Sequence, residues 1–315
     1  MDKKDLVAVI VLNHNKKNDL LECLESVYKQ DYKKYEVIVV DNASTDGSVE
    51  AVSSKYSKVF LVKNKLNSGA GAGRNAGWNF VEKNFDYKYL LFLDNDVIID
   101  KTYITQLIAI FNNNPQVGIA CGKAYTDNKL NIIMSAGIRT NLFNGSIYDI
   151  GSGKKDKGQY NQSGYVDACG SFAMMVRKEL FSALGGFDEN FTPYGWEDVN
   201  LCVKAKRYSF FTYYASEAKL IHKGTKLGRK PNPLYEKSKI KNYIYFLRTN
   251  TTLIQKITCA ACLPFRAMML ALRLVLTGNS RIVLEHFKGF FTGIRNINQS
   301  IKLNKYSLSD ADGKK

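Results

Sequence analysis

The sequence predicts an α/β protein: a mostly parallel sheet with helices on both faces, followed by a helical C-terminal region. Three observations predict it. Apolar runs at residues 6–12, 35–40, 59–62 and 89–93 are short enough and apolar enough to be strands buried on both faces. Stretches with helical spacing separate them, the alternation expected of parallel strands joined by crossovers. The polar clusters fall at the carboxyl ends of these runs, so they line one rim, where open α/β sheets bind their ligands.

Taken in order, residues 6–12 lead through Asn13-His14-Asn15 to Leu20, Leu21, Cys23, Leu24, Val27 and Tyr28 at helical spacing. Residues 35–40 end at Asp41-Asn42-Ala43-Ser44-Thr45-Asp46-Gly47-Ser48, and a short helix over 49–56 precedes the strand 59–62. A glycine-rich stretch, Asn67-Ser68-Gly69-Ala70-Gly71-Ala72-Gly73-Arg74-Asn75-Ala76-Gly77, opens a helix running to Asn84. The run 89–93 then stops at Asp94-Asn95-Asp96, followed by a helix over 102–111 and a strand after Pro115. Residues 128–162, rich in Gly, Asn and Lys, read as strands and loops of a less regular half. Residues 165–176 read as one strand interrupted by Gly170, and 178–184 as a helix closed by Gly185-Gly186. Trp196-Glu197-Asp198 starts another helix, and 210–215 and 219–222 read as closing strands. From Tyr235 the pattern is helical; the apolar stretch 253–276 is broken by Lys256, Arg266 and Arg273, and Pro264 predicts a split into two short helices. Residues 283–294 are again aromatic and aliphatic, and 307–315 form a polar tail expected to fray.

With 315 residues, 45% apolar and 12% aromatic, the chain builds a sizeable core and does not have a disordered composition. Its formal charge of +16 is uneven: residues 1–222 hold 27 Lys and Arg against 25 Asp and Glu, whereas 223–315 hold 18 against 4. The basicity belongs to the C-terminal third, where nucleic acid or an anionic membrane surface is the general expectation. Amphipathic apolar helices flanked by Lys and Arg favour the membrane surface over nucleic acid. Six cysteines are scattered, and the one metal-like spacing, Cys259-Ala260-Ala261-Cys262, has no second pair, so small core residues are the better reading than a zinc site. Nothing in their spacing suggests a disulfide framework, consistent with a reducing cytosol. Residues 1–5 are too short and wrongly flanked for a signal peptide, and no charge-free run reaches the ~18 residues of a spanning helix.

The chemistry concentrates at the strand ends. Asp94 and Asp96, two residues apart, can face one hard cation such as Mg²⁺ or Mn²⁺ that bridges to a diphosphate; the plain alternative is a helix cap and a solvated acid. Gly71-Ala72-Gly73-Arg74-Asn75-Ala76 is a degenerate match to a dinucleotide fingerprint with Asp94 about twenty residues on, so an NAD(P)-dependent oxidoreductase is a rival reading. Against it, the motif follows the third strand rather than the first, and Arg74 within the turn points toward a phosphate or a base. The Asp41 cluster is either a turn with an Asx cap or a carboxylate that accepts from a pyrimidine imide or a ribose hydroxyl. His14 reads as a rim residue. Three roles fit His222: metal ligand, phosphate donor or ordinary strand residue. Glu197 and Asp198 suit the first turn of a helix as dipole partners, but the aromatic residues flanking them suggest a pocket wall.

Six motifs in order carry a resemblance: Asn13-His14-Asn15; Asp41-Asn42-Ala43-Ser44-Thr45-Asp46; the 67–77 glycine run; Leu93-Asp94-Asn95-Asp96; Gly185-Gly186-Phe187-Asp188-Glu189; and Trp196-Glu197-Asp198. The set resembles family 2 glycosyltransferases, most closely the bacterial rhamnosyltransferase-like branch, over roughly residues 5–250. The resemblance implies a GT-A fold and inverting transfer from a nucleotide-diphosphate sugar. It implies a nucleotide-sugar side built from Asn13, Asn15, Asp41, Asn42, Arg74, Asn75, Asp94 and Asn95. Asp96, with Asp94 and His222, is the implied site for Mg²⁺ or Mn²⁺, and Asp198 the implied catalytic base, with Glu197 orienting it or the acceptor. Trp196, Asp167 and Gly170 are expected on the acceptor side. Tyr243, Tyr245, Arg248 and Asn250 resemble a tyrosine and Arg-Asn element of the family, although Thr249 splits the pair. The units expected are a nucleotide-sugar half over 1–112, an acceptor half over 113–230 and a basic helical region over 231–315. The expected donor is dTDP-rhamnose or a UDP-hexose, and the acceptor a surface polysaccharide or lipid-linked glycan at the cytoplasmic face of the membrane. Two alternatives stand: the C-terminal helices pack on the domain or form an oligomer interface, and the chain is a non-catalytic carbohydrate-binding relative.

Overall fold

The computed structural model describes residues 5–127, 131–224, 232–276 and 279–295. The polar tail lies outside them. Along the chain the elements are β1 (Val7–Asn13), α1 (Lys17–Tyr28), β2 (Tyr35–Asp41), α2 (Ser48–Lys55), β3 (Phe60–Lys63), α3 (Ala70–Asn84), β4 (Tyr89–Asp94) and β5 (Val97–Ile99). Then come α4 (Tyr103–Asn113), β6 (Val117–Asp127), β7 (Ile132–Ser135), β8 (Ile138–Asn141), β9 (Ser146–Asp149), β10 (Gly164–Val166), β11 (Ala173–Arg177) and α5 (Lys178–Leu184). Last are α6 (Glu197–Ala205), β12 (Phe211–His222), α7 (Pro233–Asn250), α8 (Leu253–Leu276) and α9 (Ser280–Arg295).

The central strands are apolar at every position because both faces are covered. In β1, Val7, Val9 and Val11 enter one core while Ala8 and Ile10 enter the other; in β4, Tyr89, Leu91 and Leu93 divide from Leu90 and Phe92 in the same way. Helices α1, α2 and α4 cover the first face, and α3, α5, α6 and α7 cover the second. The sheet runs β10-β12-β6-β11-β4-β1-β2-β3. It is parallel from β3 through β4 and again between β6 and β12, while β11 runs antiparallel to both of its neighbours. Register aligns Asn13 with Asp41 and Leu12 with Asp94, so the polar residues of three parallel strands end at one level.

Helix α3 lies unusually close to the sheet. A Cβ on Gly73 would stand 2.6 Å from Leu12 Cδ1, and one on Gly77 would stand 2.7 Å from both Ile10 and Val40. The two glycines are one turn apart and so share the face that meets the sheet.

Three expectations are corrected. Residues 165–176 do not form one strand: β10 pairs at the sheet edge with β12, whereas β11 sits between β6 and β4. Between them the chain crosses to β8, where the Asp167 and Ala168 N–H groups donate to the Ile138 carbonyl. The two closing strands are a single β12 with an irregularity between Ala215 and Lys219. Helix α8 continues through Pro264, because residues on both sides of it seat against the β8–β9 hairpin: Cys259 Sγ on the Leu142 carbonyl and Arg266 Nη1 on the Asn144 carbonyl.

Candidate active site

Asn13, Asp41, Asn95, Asp94 at the end of β4 and Asp96 just beyond it meet at the carboxyl rim. Asn95 donates to the Asn13 side-chain oxygen (2.7 Å), and Asn13 in turn donates to Asp41 Oδ1 (3.0 Å) and the Ser44 hydroxyl (3.1 Å). Asp41 Oδ2 accepts from the Ser44 N–H at 2.9 Å. Each carboxylate oxygen has more than one acceptor site, so Asp41 keeps capacity for a ligand hydroxyl or imide. Asn15 has a positive φ of 50° and its side-chain oxygen accepts from the Thr45 N–H, which ties the β1–α1 and β2–α2 loops together.

Beside this chain, the ligand atoms of Asp94, Asp96 and His222 lie within 4.8 Å of one another. Two carboxylates and an imidazole suit Mn²⁺, and carboxylates suit Mg²⁺. The backbone leaves room there: a Cβ on Gly224 would stand 2.2 Å from Asp96 Oδ2. The residues fit a divalent cation. Asp96 is 5% exposed and bound by His222 Nε2 (3.0 Å) and Lys16 Nζ (2.8 Å). Burial alone would raise its carboxyl, but the His222 hydrogen bond and the charges of His222 and Lys16 outweigh burial and hold it well below the usual range. His222 is in place because β12 pairs with β5, setting His222 opposite Val97, and its ring stacks on Phe172.

Arg74 connects this cluster to a second pair of acids. Its guanidinium is 3% exposed, stands over the Phe187 ring, and donates to Asp94 Oδ1 (2.5 Å) and Glu197 Oε1 (3.4 Å). Burial raises the Glu197 carboxyl to about 7, with Asp198 adding to the rise and Arg74 opposing it. Burial also raises Asp198, against the pull of the Val199 and Ser171 N–H groups and of Arg74. Those two N–H groups fix the Asp198 carboxylate, at 2.7 Å on Oδ1 and 3.2 Å on Oδ2. Trp196 enters the helix with a φ of 78°, a conformation that costs a bulky residue about 1–3 kcal/mol. The indole is held by donation to the Lys239 carbonyl at 2.8 Å and by contact with the Tyr243 and Phe246 rings.

Several candidates are held by contacts within the protein. Both Nη atoms of Arg74 hold carboxylates, Asp94 and Glu197. Asn42 accepts from Asn64 and donates to the Gly69 carbonyl, and Asn75 brackets Phe187 through its N–H and its carbonyl while also donating to Glu189. Both position loops around the site. Asp167 accepts from the Thr140 N–H and from Lys206, so it clamps β8 to the end of α6. Gly170 gives room to the Phe172 ring, which would come within 2.4 Å of a Cβ there. The glycine run does not present a dinucleotide cradle: the Ala70 N–H donates to the Pro193 carbonyl, which would stand 2.5 Å from a Cβ on Gly69. Tyr243 donates to the Gly145 carbonyl, Tyr245 to Asp188, Arg248 to the Ile294 carbonyl and Asn250 to Asn200, so this stretch braces α7. Sequence reasoning missed Lys16, Ser171 and Gly224. Only Lys16, a cation directly after a strand-end cluster, carried a signal.

A family model described as "Glycosyl transferase family 2" matches residues 8–185. Glycosyltransferase GlyA of Streptococcus pneumoniae is 34% identical over 128 residues, covering 40% of this chain and 18% of that protein. The UDP-Glc:alpha-D-GlcNAc-diphosphoundecaprenol beta-1,3-glucosyltransferase WfaP of Escherichia coli is 31% identical over 93 residues, 29% of this chain and 36% of that protein. The chain thus matches well under half the length of these curated relatives. Among solved structures, the mannosyltransferase PcManGT of Pyrobaculum calidifontis, in complex with GDP-Man and Mn²⁺, superposes with a TM-score of 0.58 at 17% identity, covering 93% of this chain and 88% of that one.

Proposed function

The chain belongs to glycosyl transferase family 2 and has the GT-A fold, and from that premise we propose that it is an inverting transferase. Its donor is a nucleotide-diphosphate sugar, a UDP- or dTDP-linked hexose or rhamnose. Its acceptor is a hydroxyl of a growing surface polysaccharide or of a lipid-linked glycan. The relative named for UDP-Glc and a diphosphoundecaprenol acceptor supports this choice of substrates. The observation that carries the reading is the Arg74 bridge, which joins Asp94 of the cation-binding set to Glu197 beside Asp198. One buried group thereby fixes a diphosphate side and a base side relative to each other.

Mg²⁺ or Mn²⁺, when bound by Asp94, Asp96 and His222, supplies the positive charge that stabilises a departing diphosphate. Asn13 and Asp41, locked by their mutual hydrogen bond, offer acceptor oxygens to the ribose or base. Asp198 removes the proton of the attacking hydroxyl; its raised pKa strengthens it as a base, and its two N–H partners keep it in one orientation. A single displacement needs one such base and no protein nucleophile, and it inverts the anomeric centre. Trp196 supplies an apolar wall beside the base. The enzyme works as a peripheral protein at the cytoplasmic face of an anionic membrane, consistent with 18 basic against 4 acidic residues over 223–315.

Turnover of a panel of UDP-, dTDP- and GDP-sugars with Mn²⁺, read as nucleotide release in the presence of glycan acceptors, tests the proposal. Release from one donor that falls by about 10²-fold or more in Asp96→Ala and in Asp198→Asn is the expected result. Release unchanged in both variants overturns the mechanism, and thermal stabilisation by NAD but by no nucleotide sugar overturns the reaction class.

A further inference from the structure

Among the described residues, α8 is the one helix long and apolar enough to cross a membrane. Its 24 residues span about 36 Å, enough for a hydrocarbon core of about 30 Å. Its packing contradicts a crossing. Cys259, Leu263 and Arg266 share one helix face, and that face is occupied: Cys259 is 3% exposed, Leu263 packs on the core, and Arg266 donates to the Asn144 carbonyl at 2.8 Å. The next helix also returns to the body from which α8 departs. Gly289 and Gly293 let α9 approach α7 so closely that added Cβ atoms would stand 2.5 Å from the Lys237 carbonyl and 2.8 Å from Ile244 Cβ. His286 bonds Glu236 at 2.9 Å and Arg248 donates to the Ile294 carbonyl at 3.1 Å. Helix α7 is itself anchored in the core by Phe246, which is fully buried. Both ends of α8 are therefore tied to one side, which a spanning helix cannot satisfy.

The outward face of α8 is nonetheless apolar: Leu253, Ile257, Phe265, Met268 and Leu272 are each more than half exposed. Helix α9 presents Leu284, Phe287 and Phe291 outward, with Lys288 and Arg295 exposed at helical spacing on the same face. Phe143, at the tip of the hairpin that holds α8, is 57% exposed and extends the apolar area. We propose that α8 and α9 form an in-plane docking face for an anionic phospholipid surface, with α8 half-immersed along its length rather than crossing. An apolar face bordered by cations matches the headgroup region. A second copy of the same strongly basic region would meet charge repulsion instead.

The docking face adjoins the acceptor side of the site. Tyr243 contacts Trp196 at 5.1 Å between ring centroids, donates to the Gly145 carbonyl of the hairpin, and lies 3.4 Å from Arg266 Nη1. One side chain thus touches both the wall beside Asp198 and the inner face of α8. This assignment deepens the lipid-linked acceptor reading and rests on it for the substrate, but not for the docking.

The full chain is floated with vesicles of phosphatidylcholine alone and of phosphatidylcholine with phosphatidylglycerol, then extracted with alkaline carbonate. Flotation with the anionic vesicles only, weakening with salt and reversed by carbonate, is expected. The double variant Ile257→Glu, Met268→Glu should lose flotation while keeping its melting temperature and its nucleotide release with a soluble acceptor. Absence of flotation overturns the proposal, as does retention after carbonate. A dimer in solution that the double variant dissociates also overturns it, by assigning the face to a second copy. Flotation is read without any sugar transfer, so a protein that docks but releases no nucleotide sinks the proposed reaction and leaves the docking intact.

Discussion

Asp198 is a carboxylate whose two oxygens are each fixed by a backbone N–H, and Asp198→Asn preserves its size while removing the proton acceptor. Acceptor-dependent turnover should fall by about 10²–10⁴-fold, the usual worth of a general base, while stabilisation by donor nucleotide with Mn²⁺ in a thermal-shift assay persists. Glu197 makes a separate prediction in stability. Its folded pKa of about 7 lies above the unfolded value of 4.5, so the folded state holds the proton more tightly. The contribution to stability is fully present below 4.5 and is lost as pH rises through about 7. Glu197→Gln removes that loss, so melting curves of variant and parent should shift in the variant's favour as pH rises across this window; parallel curves would contradict the raised carboxyl. Lys16 holds the same Asp96 oxygen that Gly224 leaves accessible. Lys16→Met should therefore tighten binding of Mn²⁺ to the nucleotide-free protein several-fold, by removing a competing cation, as measured by the Mn²⁺ resonance of the free ion; weaker binding would show that the ammonium assists the cation. At this scale the meeting of Asp94 and Asp96 at the sheet rim was legible, because a charged side chain after an apolar run belongs at the exposed end of its strand. The bracing role of Arg74 was not legible, because its two partners lie 20 and 123 residues away. Lys16 and Ser171 depend on tertiary approach that no local pattern encodes.

Helix α3 shows how an element sets the site. Its contact with β1 and β2 runs over Gly73 and Gly77, and that contact carries Arg74 to Asp94. Gly77→Val would force a branched side chain against Ile10 and Val40, an overpacking expected to cost about 1–3 kcal/mol, read as a lowered urea midpoint. An unchanged midpoint would mean that α3 is free to lift. The strands of the parallel half were readable from their apolar runs, since burial on both faces leaves no polar position. The split between β10 and β11 was not, because Val166 and Ala173 are equally strand-like and only the partner strands differ. The continuity of α8 through Pro264 escaped for a similar reason: contacts at Cys259 and Arg266 with the hairpin override the local break.

Over the whole molecule, two helical layers enclose a sheet whose parallel half ends at Asn13, Asp41 and Asp94, and whose antiparallel insertion, β11, follows the Ser171 loop that reaches Asp198. Helix α7 joins this body to α8 and α9, so the wall around Trp196 and the outward face of α8 and α9 are parts of one packed unit. The six motifs gave the order of the site along the chain. They could not give its closure, in which residues from β4, α3 and the start of α6 converge on one guanidinium. The central claim is that Asp198 acts as sole base in a single displacement across this arrangement. It is tested most directly by proton NMR of the glycoside formed from the accepted nucleotide sugar. An anomeric configuration opposite to that of the donor is predicted, and a product that retains the donor's configuration would contradict the account.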